Sequence, residues 1–139
     1  MVVEVHEKLY QIIDKSPRYP LAAYTAIHKG LDFTMQLKNV VGHVNGQELA
    51  LGMAGYMKIE YGPYAAIVLE NWGIRTTLDF GRIVFNMVEA GLMRKTEEDT
   101  LEDFVGVYRF DEVFGGEVDW LRDIRAELGL PVPNADSSV

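Results

Sequence analysis

One stretch, Pro63 to Leu92 (PYAAIVLENWGIRTTLDFGRIVFNMVEAGL), constrains this chain more than any other. It reads as two helices joined by a short glycine turn. In the second, from Leu78 to Ala90, Phe80, Ile83, Val84, Met87 and Val88 recur at helical spacing, and Phe85 adds a second apolar side. A helix so poor in polar surface belongs inside a protein. The remaining segments are expected to wrap around it.

Helix signals bracket that stretch on both sides. Residues 3–14 read as a first helix, ended by Ser16-Pro17-Arg18-Tyr19-Pro20. A second helix starts at Pro20 and runs to Lys38, with Leu21, Tyr24, Ile27, His28, Leu31 and Met35 as its buried stripe. Asn45 is placed to cap a third, over 47–61, with Gln47 and Glu48 in its first turn. Gly62-Pro63 separates it from a short helix over 63–72. That one ends at Gly73, and Ile74 supplies the clasp of a glycine cap. Thr76 or Thr77 caps the central helix, with Asp79 in its first turn.

Beyond Gly91 the aromatic and β-branched residues Phe104, Val105, Val107, Tyr108 and Phe110 favour strand. The expectation is a β-hairpin over 92–110 with TEEDTLED as its acidic loop. Helices 47–61, 63–72 and 78–90 together with a hairpin make a winged-helix-like core inside a mainly α fold. A last amphipathic helix is expected over 117–128. The chain would then be a single helical domain over 1–128 with a loose tail at 129–139.

Three stretches, YPLAAY at 19–24, HVNGQELALG at 43–52 and the long run VLENWGIRTTLDFGRIVFNMVEAGLMRKTEEDTLEDF at 68–104, resemble an uncharacterised bacterial protein family found mainly in planctomycetes and verrucomicrobia. The resemblance covers about Tyr19 to Phe114. That family has no assigned activity, cofactor or catalytic residue, so the resemblance implies no site.

Charge is the next constraint. The 139 residues carry a net charge of −8. Residues 1–95 hold 10 basic and 9 acidic side chains, whereas 96–139 hold 3 and 12. The excess negative charge therefore falls wholly in the last third, as an acidic docking surface would have it. There are no cysteines, which removes disulfides, thiolate zinc sites and cysteine nucleophiles. The N-terminus lacks a signal-peptide pattern, and no run reaches the roughly 18 apolar residues of a membrane span. A cytoplasmic location is expected.

No catalytic set emerges. His6, His28 and His43 have no metal-ligand spacing around them, and His28 on the second helix reads as a core residue. Ser16, Ser137 and Ser138 lie in a linker and a tail. Phosphate-binding glycine patterns are missing, so no cofactor is implied. The acidic loop lacks the spacing of a calcium site. The reading this favours is a non-enzymatic module that meets a protein partner, a second copy of the chain included, through Glu97, Glu98, Asp99, Glu102 and Asp103. A winged-helix DNA reader using Arg75, Arg82 and Asn86 is the alternative. Against nucleic acid stand the five carboxylates of the expected wing, which would repel phosphate. A small metal-dependent or acid/base enzyme built on His43 and Glu48 is the third reading.

Overall fold

The computed structural model describes Gln11, residues 17–38 and residues 43–115. The helix expected over 117–128, the one expected over 3–14 except for Gln11, the tail, His6 and the three serines lie outside the described residues.

The described chain is helical. In order come α1 (Leu21–Lys38), α2 (Gly46–Tyr61), a 3-10 turn (Gly62–Tyr64), α3 (Ala65–Asn71), α4 (Thr77–Glu89), a second 3-10 turn (Leu101–Phe104) and α5 (Phe110–Phe114). No helix among the described residues is long and apolar enough to cross a membrane.

Helix α1 packs on α2. Gly30 faces Met53, Thr34 faces Gly52 and Lys38 pairs with Glu48, so the two helices run antiparallel. A Cβ on Gly52 would sit 1.8 Å from the Thr34 hydroxyl, so the missing side chain is what lets the backbones approach. Helix α4 lies in the core as its spacing predicts: Phe80, Ile83, Val84 and Met87 are all buried. Tyr19, Tyr24 and Ile27 reach it from the start of α1, and Leu69 and Ile74 from the α3 side.

The turn between α3 and α4 has the expected glycine cap. Gly73 takes φ +77°, and Ile74 donates its N–H to the Leu69 carbonyl at 2.9 Å. Ile74 is buried, which supplies the apolar clasp. The same bond closes α4, where Gly91 has φ +77° and Leu92 bonds the Met87 carbonyl.

The β-hairpin and its wing are not there: the described residues contain no strand. Residues 92–100 form an irregular loop, which leads into the second 3-10 turn and then the short helix α5. Two local devices explain the correction. Asp99 accepts from the Thr96 N–H, and Thr100 and Asp103 form a capping box, so both turns satisfy their own backbone. The β-prone aromatics are consumed by packing instead. Phe104 covers Gly46 and Gly81, and the rings of Tyr108, Phe110 and Phe114 cluster on one another. The Thr77 hydroxyl donates to the Phe104 carbonyl at 2.5 Å and accepts from the Val107 N–H at 3.2 Å. That ties the segment to the start of α4.

Candidate functional site

Two polar constellations stand out, and they do different work. The first surrounds Asp79, which is 3% exposed. One carboxylate oxygen accepts from the Tyr19 hydroxyl, from Arg82 Nη1 at 3.0 Å and from Arg18 Nη2 at 3.5 Å. The other accepts from the backbone N–H groups of Arg75 at 2.8 Å and Thr76 at 3.2 Å. Burial alone would push this carboxyl up, but the bonds from Tyr19, the two N–H groups and Arg82 outweigh it and hold it below the ordinary aspartate range. Burial and the adjacent carboxylate push the Tyr19 phenol up to about 12. With both oxygens filled, Asp79 is a structural anchor for the start of α4 and has no lone pair left for chemistry.

Two of the three side chains of the DNA reading are engaged within the fold. The Arg82 guanidinium is engaged by Asp79. The Asn86 side-chain amide donates to the Tyr24 hydroxyl at 3.1 Å. Arg75 is exposed, and only its backbone is engaged by Asp79.

The second constellation lines a cleft of about 340 Å³ between α1, α2, α4 and the loop after α4. Its walls are apolar: Leu31 and Met35 from α1, Leu49 from α2, Val84 and Phe85 from α4, and Phe104. The other lining residues include His28, His43, Arg94, Lys95 and Asp99. His28 is exposed, not part of the buried stripe expected for α1, because α1 is turned so that Tyr24 and Ile27 take the core.

His43 Nε2 lies 2.9 Å from Asp99 Oδ1. The other oxygen of Asp99 accepts from the Thr96 N–H at 2.8 Å and the Thr96 hydroxyl at 3.1 Å. Burial acts to raise the Asp99 carboxyl, but these donors and His43 pull it below the ordinary range. His43 therefore pairs with a residue 56 positions on. Glu48 is occupied elsewhere. It completes a capping box with Asn45 and meets Lys38 at 2.5 Å, and the Asn45 N–H and Lys38 hold its carboxyl down.

The five carboxylates of the expected acidic surface divide. Glu97, Glu98 and Glu102 are exposed. Asp99 turns in to His43, and Asp103 caps the 3-10 turn by accepting from the Thr100 N–H at 3.0 Å. Among the described residues no three His, Cys, Asp or Glu side chains are grouped to hold a metal ion. A second hollow of about 580 Å³ lies between the start of α4 and residues 105–111, but its charged pair, Arg109 and Asp111, is already joined at 2.7 Å.

Sequence reasoning missed the Tyr19–Asp79 and His43–Asp99 pairs, since nothing local signals a bond across 60 or 56 positions. The Thr76-x-x-Asp79 spacing marks Asp79 as a cap and hides its tertiary role. Comparisons with family models, curated proteins and solved structures found no match.

Proposed function

We propose that this protein is a non-enzymatic interaction module that takes an apolar group of a partner protein into the cleft beside α1 and α4. The observation that carries the reading is the cleft itself. Its volume of about 340 Å³ lies within the range of ligand sites, and its apolar walls end in a few polar groups. Glu97, Glu98 and Glu102 are exposed on and just after the turn that borders it, where they would meet basic residues of the same partner.

The nucleic-acid alternative is less well supported, because Arg82 and Asn86 are both engaged within the fold. An acid/base enzyme built on His43 and Glu48 is less well supported, because Glu48 is tied to Asn45 and Lys38 while His43 meets Asp99 instead. A pull-down compares the native chain with Met35→Glu in the cleft and with Glu97, Glu98 and Glu102 changed together to glutamine. Recovery of the same partner should fall with each variant. Equal recovery by all three chains would remove the proposal.

A further inference from the structure

The cleft differs from the rest of the molecule in the sign of its charge. The chain as a whole carries −8, yet the charged lining groups are Arg94, Lys95 and Asp99, with His28 and His43 beside them. Asp99 keeps its charge, but its oxygens are turned to Thr96 and His43, and the two cations still leave the lining with a net charge of +1, from Arg94 and Lys95 against Asp99. Arg94 and Lys95 are exposed, and neither forms an ion pair among the described residues. Lys95 lies 5.9 Å from the centre of the Phe85 ring, so a cation stands directly at the apolar wall. Lys95 also donates to the Thr96 carbonyl at 3.4 Å, which leaves two of its three N–H donors and the guanidinium of Arg94 available next to apolar surface.

From this we propose that the cleft binds a carboxylate carried on an apolar body, with Arg94 and Lys95 holding the anion and Leu31, Val84 and Phe85 covering the body. The inference rests on the cleft being a binding site and adds the chemistry of what enters it. A guanidinium and an ammonium supply five and three N–H donors and match a carboxylate that has lost its water on one side. An uncharged group of the same shape would gain no charge-assisted bond, since both exposed cations would keep their water. The ligand chemistry is shared by a free monocarboxylic acid and by the C-terminus of a protein that ends in apolar residues.

Titration of the full chain with sodium hexanoate and with 1-hexanol, tracked through the amide resonances of Gly46, Phe85 and Lys95, tests it. Hexanoate should bind about tenfold more tightly than hexanol. Changing Arg94 and Lys95 together to glutamine should bring the two within about twofold, with the unfolding midpoint unchanged because both side chains are exposed. A short acetylated peptide ending in leucine, with its C-terminus free or amidated, separates the sources. Tighter binding of the free form than of hexanoate assigns a chain end, and the reverse assigns a small acid. Equal affinity for hexanol and hexanoate, or a preference that survives the double substitution, overturns the carboxylate assignment and leaves the cleft as an apolar site. No shift at the cleft residues with any probe overturns both.

Discussion

Tyr19 donates its phenol to the carboxylate of Asp79 across 60 residues of sequence. The bond joins the turn just before α1 to the first turn of α4, so it fixes how the two helices enter the core together. Tyr19→Phe fills the same space but withdraws one donor from a buried carboxylate, at a cost of about 1–2 kcal/mol. Asp79→Asn also gives up the charge that Arg82 and two backbone N–H groups meet, and should cost about 3 kcal/mol. Urea unfolding reads both, as a lower midpoint at unchanged slope. Equal stability of native and Tyr19→Phe chains would show that the bond contributes nothing.

The same pair contributes to both limbs of the pH profile, the acid limb through Asp79 and the alkaline limb through Tyr19. Asp79 is held below its ordinary value in the folded chain, so the stability it supplies is present above the unfolded aspartate value, about 3.9, and is lost as pH falls through the lower folded value. Asp79→Asn should therefore flatten the acid limb of stability against pH. Tyr19 is raised to about 12, so its contribution is complete below the unfolded tyrosine value near 10 and is lost as pH rises through 12. Ultraviolet absorbance of tyrosinate should show one less late-titrating phenol in Tyr19→Phe.

The helices were legible because they are local. Period, caps and glycine stops placed α1, α2 and α4 to within a residue or so, since Asn45–Glu48, Thr76–Asp79 and Gly73–Ile74 are bonds between near neighbours. The segment after Gly91 was misread because Val105, Val107 and Tyr108 favour strand only where strands can pair. Here no partner strand exists among the described residues, and Thr77 takes up the Val107 N–H instead. The cleft was illegible for a related reason. Its walls come from four separate segments, and only the fold brings His43 to Asp99.

Thr77 holds that segment through a single hydroxyl. Thr77→Val keeps the shape and strands the Phe104 carbonyl and the Val107 N–H, at a cost of about 1–3 kcal/mol. Amide exchange should speed up at Val107 in this variant and stay slow in the middle of α2. Unchanged exchange at Val107 would mean that the loop is held by its aromatic packing alone.

Helix spacing gives a steric test. In Gly52→Ala the new methyl would meet the Thr34 side chain, with Oγ1 at 1.8 Å and Cβ at 2.8 Å. The loss should be about 1–3 kcal/mol, since a packed seam resists added volume. Thr34→Ala in the same chain removes Oγ1 and Cγ2 but keeps Cβ, so it should recover only part of the loss. Simple additivity of the two substitutions in thermal unfolding would show that they do not share the contact.

The acidic turn separates a folding role from a surface role at neighbouring positions. Glu97, Glu98 and Glu102 are exposed, so changing all three to glutamine should leave stability within about 0.5 kcal/mol. Asp99 accepts from Thr96 and meets His43, so Asp99→Asn should cost about 1 kcal/mol and raise amide exchange at Thr96. The side-chain resonances of His43 should shift in Asp99→Asn and remain in place in the triple variant. If the triple variant moves them as far as Asp99→Asn does, the turn is held by its collective charge and the His43–Asp99 contact has no separate part in it.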